Sequence, residues 1–590
     1  MKLVKNTIGH LLLDRIAKSP SKKAIGFFKD NKIINYNFKD YAKVVEALSL
    51  ALLKKGVTNQ DKVCILSQTR IEWNFLDLAI LCSGAVTVPI YHTYLEDDVK
   101  YILQHSEAKM IIVEDSVQFS KLITVLDKLE DLVFIISIEK IESDLLKKLP
   151  SNIEYYNYED FFDFGKNELQ QNPDTFEIKI NSLHDDNIAT IVYTSGTTGK
   201  PKGAVIKQGA LLQMLKNIKA FSNNALAEND KNLIFLPLSH VLGRCDSFLN
   251  LTFGCHSVYA EGADKIIENI KVSQPTFMIA VPRIFEKIYE KIKKNLKETT
   301  PLKRTLFSWA MKKADQYNKQ IEDDKTPSSI DIIQYNVGQK LVTDKIYAMF
   351  GGKIRYFISG GAPLSEVIVN FMRNSNLTIV EGYGLTETIA PCVLNPFERQ
   401  KPGKVGKPIG DVQIKFAHDG EILVKSKALF SHYYKDQKAT DKAINPEGWF
   451  HTGDIGKFDN DGFLKITDRK KDIIITSGGK NIAPQKIENL LKLSENIEHC
   501  AIIGDKRKFL TALIIPPTQN SEKEKSDITS LIKTDIELVN TKLAKFETIK
   551  KFEILDIEVS TDNYLTPSLK LKKSVLLKDF KAKIDALYNN

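Results

Sequence analysis

Between Tyr193 and Gly203 the chain reads Tyr-Thr-Ser-Gly-Thr-Thr-Gly-Lys-Pro-Lys-Gly. Glycines at 196, 199 and 203 permit backbone shapes that present successive N–H groups, and the hydroxyls of Thr194, Ser195, Thr197 and Thr198 add donors. Lys200 and Lys202 bring positive charge. Donors and cations this dense make a cradle for phosphate oxygens. The segment is not a Walker A loop. Thr194 stands where that pattern needs its first glycine, and Pro201 stands where it needs a magnesium-binding hydroxyl. A flexible Gly/Thr surface loop competes with this reading, but the position directly after the apolar run Ile188–Tyr193 favours the cradle. A second candidate, Lys457, Asp459, Asp461, Gly462 and Asp468, partly fits a calcium loop. Its first ligand position is lysine and its last is not glutamate, so a hairpin turn is expected there. The ten histidines are scattered, and the six cysteines at 64, 82, 245, 255, 392 and 500 form no C-x-x-C pair. That excludes the usual zinc and disulfide patterns and points to a reducing cytoplasm.

A cradle needs elements to hold it. Expected strands are Val63–Ser67, Met110–Val113, Val133–Ile138, Ile188–Thr194, Leu233–Leu238, Thr276–Val281, Arg355–Ser359 and Thr378–Glu381, with helical patterns between many of them. This alternation predicts a doubly wound α/β architecture, in which ligands gather beyond the carboxyl ends of the strands. Thr194-Ser195-Gly196, Ser359-Gly360-Gly361 and Gly382-Tyr383-Gly384 each follow such a run. From 411 to 470 the texture becomes short alternating strands with tight turns, and after about 472 a smaller α/β unit begins. The charged run Asp468–Asp472 reads as an exposed connector. It divides a large N-terminal domain, 1–468, from a small α+β C-terminal domain, 469–590. Residues 284–345 form a long lysine-rich helical insertion. The longest apolar stretch, Phe75–Tyr91, contains Asp77 and Pro89 and reads as a buried helix running into a strand, not a membrane span. Asp14 and Arg15 cut short the only apolar run near the N-terminus, so no signal peptide is expected. With 590 residues, 43% hydrophobic and 27% charged, the chain is ordinary for a multidomain globular enzyme. Its net charge of +9 suits a handler of polyanions without requiring one.

The loop at 193–203 resembles the phosphate loop of the adenylate-forming superfamily of acyl-CoA synthetases, luciferases and peptide-synthetase adenylation domains. Further blocks appear downstream in that family's order: Leu236–His240, Ser359–Leu364, Glu381–Thr388, Gly448–Asp454 and Asp468–Pro484. The resemblance spans nearly the whole chain. It implies that Thr194, Ser195, Gly196, Thr197, Thr198, Gly199 and Lys202 hold the phosphates of ATP, and that Gly361, Ala362 and Pro363 wall the adenine. Tyr383 would offer the adenine a flat face, with Gly382 and Gly384 letting the backbone approach and Thr386 beside them. Glu387, a hard oxygen ligand, would hold Mg²⁺ with help from Thr194. Asp454 would accept both ribose hydroxyls, and Arg469 would contact the ribose-phosphate region.

Leu565-Thr-Pro-Ser-Leu-Lys-Leu-Lys-Lys573 is similar to the family's last motif in the wording of long-chain acyl-CoA synthetases, and assigns Lys570 to the reacting carboxylate and α-phosphate. Lys573 stands where the family commonly has arginine. His240 resembles a residue at the acyl entrance; a satisfied structural histidine is the equal alternative. Lys471 would be the hinge about which the small domain rotates, bringing Gly478 and Gly479 to line a CoA channel. The expected activity is ATP-dependent formation of a fatty acyl-AMP, then transfer to CoA. Transfer to a carrier protein, or a medium-chain or aromatic acid as substrate, are the alternatives. Nucleic acid is not an expected partner. Peripheral contact with the inner face of a membrane through the lysine-rich insertion is left open, as is a solvated role for that face. Oligomeric state is open too, a homodimer being one option.

Overall fold

The computed structural model describes residues 6–194, 200–262, 264–478, 480–517, 525–560, 563–566 and 570–589. Short continuous apolar runs make its interior strands. Val63 to Leu66 and all of Val86–Ile90 are buried, as parallel strands covered on both faces must be. They lie inside an eight-stranded sheet ordered His432–Tyr433, Lys202–Lys207, Ile188–Thr194, Val86–Ile90, Lys62–Leu66, Met110–Val113, Phe134–Ser137, Glu154–Asn157. Pairing is parallel from Ile188–Thr194 onward and antiparallel at the other edge. A nine-stranded sheet has the parallel interior Thr378–Tyr383, Tyr356–Ser359, Phe277–Ala280, Lys231–Ile234, His256–Tyr259, Lys23–Lys29. The doubly wound reading holds.

The two sheets share one core, a buried cluster that contains Val63 and Ile65 of the first and Ile25, Ile234 and Phe277 of the second. Helix Ile71–Cys82 runs through it with every residue but Glu72 buried, close to the pattern of a helix apolar all round. The strand Val86–Ile90 comes next, as the Phe75–Tyr91 pattern predicts. Asp77 is fully buried in that helix, and an unpaired charge there would be prohibitive. Arg244 answers it bidentately, Nε to Oδ2 at 2.8 Å and Nη2 to Oδ1 at 2.5 Å, while the Thr87 hydroxyl donates to Oδ1 at 2.7 Å. This tie anchors helix Val241–Ser247, whose N-cap is His240.

Two differences from expectation have local causes. The strand expected at Leu233–Leu238 stops at Ile234, since Pro237 has no N–H to continue a ladder and its carbonyl turns back to accept from His240 N–H at 3.0 Å. The hairpin Lys23–Lys29/Lys32–Asn37 was not expected; its turn puts Asp30 and Asn31 at φ 51° and 58°, a left-handed pair these residues tolerate.

A four-stranded antiparallel sheet, Gln413–Phe416, Glu421–Lys425, Phe450–Phe458 and Leu464–Arg469, closes the large domain. Its Asp459–Gly462 turn is a hairpin. The Asp459 carboxylate accepts from Lys404, Lys401 and the N–H groups of Asp461 and Phe463, so lysines stand where a cation would. The insertion forms helices Pro282–Lys297, Pro301–Glu322, Ser329–Gly338 and Asp344–Met349. The small C-terminal domain has a hairpin, Ile474–Ile475 with Asn481–Ile482, and a three-stranded sheet, His499–Ile503, Leu510–Ile515, Ile549–Ile554, with helices around it. Among the described residues no helix is long and apolar enough to cross a membrane.

Candidate active site

Strand register brings the scattered motifs to one edge. Ala280, Ser359 and Glu381 are paired across three adjacent parallel strands, so the segments after them emerge side by side. Gly361 adopts φ 83°, with Ala362 partly buried and Pro363 exposed. Gly384 is required by proximity: a Cβ there would lie 2.3 Å from the Ala390 carbonyl oxygen. Just beyond Glu387, Ile389 and Ala390 adopt φ of 55° and 68°. Two consecutive non-glycine residues in the left-handed region, one β-branched, mark strain held by the surroundings, which clusters at functional sites. Thr386 is partly buried in the same turn.

Tyr383 is buried, and its hydroxyl donates to Asp454 Oδ2 at 2.7 Å. Arg469, opposite Asp454 on the next strand, donates Nε to Oδ1 at 3.1 Å. Burial, then the Asp454 charge, pushes the Tyr383 phenol well above its ordinary pKa, so it remains a donor. The adenine-face, ribose and ribose-phosphate candidates are therefore one hydrogen-bonded cluster.

Glu387 is positioned by a residue the motifs do not reveal. Tyr433 donates its hydroxyl to Glu387 Oε1 at 2.6 Å, and Phe430 N–H donates to the Glu387 carbonyl at 2.8 Å. Tyr433 pairs with Ala204 on the strand that follows the candidate phosphate loop, and Lys202 Nζ lies 5.3 Å from the centre of its ring. The loop's shoulders are pinned as well. Tyr193 OH bonds His105 Nδ1 at 2.8 Å, Tyr101 OH donates to the Pro201 carbonyl at 3.1 Å, and Thr194 Oγ1 reaches the Lys202 carbonyl at 3.4 Å. Ser195, Gly196, Thr197, Thr198 and Gly199 lie outside the described residues, as do Gly479 and 567–569.

His240 Nδ1 accepts from Leu242 N–H at 3.2 Å, so the ring proton resides on Nε2. Burial, and then the neighbouring Lys570 charge, lower its pKa to about 4, leaving a neutral N–H donor at ordinary pH. Lys570 reaches this region from the small domain. Its backbone closes a turn with Thr566, whose N–H donates to the Lys570 carbonyl at 2.8 Å, beside a Leu565–Leu571 bridge. The residue is exposed overall, while burial is felt at its ammonium. Burial there and repulsion from Arg469, partly offset by Asp454, lower its pKa to about 8. Lys573 does not join this cluster: it pairs with the buried Glu488 at 2.6 Å inside the small domain. Lys471 is exposed, in a turn where Asp472 and Ile473 N–H donate to the Arg469 carbonyl at 3.0 and 3.1 Å. Gly478 is an exposed turn residue of the small domain's hairpin, next to Ser477, whose N–H donates to the Arg507 carbonyl at 2.9 Å.

Among the described residues no three His, Cys, Asp or Glu side chains converge as a metal cluster. Glu387 is partly exposed and has no ion pair among the described residues. A single oriented carboxylate is a donor that suits Mg²⁺, which takes one or two carboxylates and completes its shell with phosphate oxygens and water.

Residues 12–434 match the model of the AMP-binding enzyme family. The chain belongs to that family. Residues 471–590 match the AMP-binding enzyme C-terminal domain. This AMP-binding enzyme is 35% identical over 570 residues to long-chain-fatty-acid–CoA ligase FadD15 of Mycobacterium bovis, covering 93% of this chain and 91% of that one. It is 30% identical over 623 residues to long chain acyl-CoA synthetase 1 of Arabidopsis thaliana, covering 97% and 91%. Among solved structures, the adenylation domain of a Mycobacterium chelonae carboxylate reductase superposes with a TM-score of 0.79 at 19% identity, over 99% of this chain and 91% of that one. The anthranilate CoA ligase AuaEII, in complex with anthranoyl-AMP, gives 0.74 at 18% identity over 98% of each. At these identities the structures speak to fold alone: an adenylation-domain architecture with a large N-terminal and a small C-terminal domain.

Proposed function

We propose that this AMP-binding enzyme activates a long-chain fatty acid with ATP, releasing pyrophosphate, and then transfers the acyl group from acyl-AMP to CoA. The observation that carries it is the nearness of the Lys570 charge, from the small domain, to His240 and Asp454 of the large one and to Arg469 at the boundary between them. The similarity to long-chain-fatty-acid–CoA ligases over nearly the full length supports the acid and the acceptor.

In the first step a carboxylate oxygen bonds to the α-phosphorus, and the bond to pyrophosphate breaks with its electron pair. Two anions must meet, so the protein has to orient and neutralise, with little proton transfer to perform. Lys570 supplies a cation between carboxylate and α-phosphate, and His240 Nε2–H donates to an oxygen nearby. Thr194, Lys202 and residues 195–199 hold the outer phosphates. Gly361, Ala362 and Pro363 flank the adenine with Tyr383, and Asp454 takes the ribose with Arg469 beside it. Mg²⁺, held by Glu387 with Thr194, would neutralise phosphate charge when bound.

In the second step the CoA thiol attacks the acyl carbonyl and AMP leaves. The domain boundary at 468/469, Lys471 as hinge, and Gly478 and Gly479 as channel residues complete the reading: rotation withdraws Lys570 and admits the pantetheine. The test is a panel of acids from short to very long, assayed for AMP with ATP, Mg²⁺ and either CoA or acyl carrier protein. Acyl-CoA and AMP formed in equal amounts from long-chain acids support the proposal. Absence of acid-dependent AMP, or acceptance by the carrier alone, overturns it.

A further inference from the structure

Lys570 reaches the large domain only if the small domain is held against it, and one surface that holds it lies elsewhere, on helix Pro282–Lys297 of the insertion. Arg283 Nη2 bonds Glu498 Oε1 across the domains at 2.9 Å, with the two side chains 24% and 34% exposed. At the far end of the helix Lys297 meets Glu495 at 2.7 Å, but these side chains are 63% and 66% exposed. Beside these two contacts, Leu493 of the small domain packs against the buried cluster containing Phe285, Tyr289 and Ile292.

The Leu493–Glu498 segment is rigidly built. Asp535 accepts from Ser494 Oγ at 2.5 Å and from Asn496 Nδ2 at 2.9 Å. Glu498 N–H donates to the Ile515 carbonyl at 2.9 Å, fixing it to the sheet. Arg283 faces Glu286 and Glu290 on its own helix, the latter also beside Lys287, and Glu498 and His499 on the small domain. Glu286 Oε2 lies 3.5 Å from Arg283 Nη1. When the domains part, the guanidinium keeps an acidic partner and only Glu498 is released to water. A contact so arranged is cheap to break and quick to re-form.

We infer that Arg283 and Glu498, with Leu493 seated beside them, form a reversible clasp that selects the domain orientation presenting Lys570 to the reacting phosphate. Arg283 and Glu498 are positioning residues: they touch no substrate and act through Lys570. The exposed Lys297–Glu495 pair contributes little, as exposed pairs do. The inference rests on the proposed two-step reaction with domain rotation between the steps.

The experiment measures the half-reactions separately: acid-dependent pyrophosphate exchange into ATP without CoA, and thioester formation from supplied acyl-AMP and CoA. Arg283→Gln and Glu498→Gln should each slow the first by about threefold to fivefold and leave the second unchanged or faster. The double variant should be no slower than either single, because one interaction is lost in all three. Glu495→Gln should stay within about twofold of the parent. Raised salt should slow the parent toward the variants while affecting the variants less. Equal slowing of both half-reactions, multiplied effects in the double variant, or no effect overturns the clasp. Lys570→Ala run alongside separates the two claims. If it spares neither or both half-reactions, the two-step reading fails; if it splits them and Glu498→Gln does not, the clasp alone fails.

Discussion

The Lys570 ammonium titrates near pH 8 in the free enzyme because burial and Arg469 disfavour its charge more than Asp454 favours it. The group must be cationic to stand between carboxylate and α-phosphate. Its usefulness is therefore complete well below pH 8 and lost as pH rises through that value. For the adenylation half-reaction, kcat/KM should be flat in the neutral range and fall toward tenfold per pH unit on the alkaline side. Lys570→Ala should lower the plateau about 10²- to 10³-fold, or roughly 3–4 kcal/mol, and abolish the alkaline limb. Lys570→Arg carries a guanidinium that stays charged throughout, so it should show an intermediate plateau and no limb near 8. His240 offers no confusion, since its pKa of about 4 keeps it neutral across the range. Two buried carboxyls do: Glu381 and Asp246 are each pushed by burial up to about 8. Pyrophosphate exchange into ATP, monitored from neutral to strongly alkaline pH in the three forms, decides the matter. A limb near pH 8 that persists in Lys570→Arg would assign the titration to those carboxyls and refute the reasoning.

Tyr383→Phe keeps the ring and removes the donor to Asp454 Oδ2. With the carboxylate held by Arg469 alone, KM for ATP should rise by about 1.5–3 kcal/mol in binding terms while the fold is unchanged; an unaltered KM with a lowered melting midpoint would make the contact purely structural. Arg244→Met strands the Asp77 carboxylate in the core, at a cost of about 3–5 kcal/mol. Asp77→Leu/Arg244→Met should recover most of it, and thermal melting by circular dichroism that ranks the double variant below the single would contradict this.

The features legible in the sequence are those that a single segment determines. The strands that end at Thr194 and Ser359 and the hairpin at Asp459–Gly462 are each set within a dozen neighbouring residues. Asp77 was legible in half: a charge inside an apolar run must have a partner, but nothing local says that the partner is Arg244, 167 residues away. The same limit hides Tyr433. It meets Glu387 across 46 residues, through a two-residue edge strand pairing with the strand that leaves the phosphate loop. No motif records a contact made by strand pairing. Tyr383 carries the consequence into the site itself. Its type and flanking glycines suggest an adenine platform, yet its hydroxyl is committed to the carboxylate that the ribose would use. In the proposed reading the ring that would face the base is thus oriented by the group that would bind the sugar, and disturbing either should weaken recognition of both. A site assembled from contacts of this kind responds as a unit, which is why the residues to test first are the ones that connect its parts.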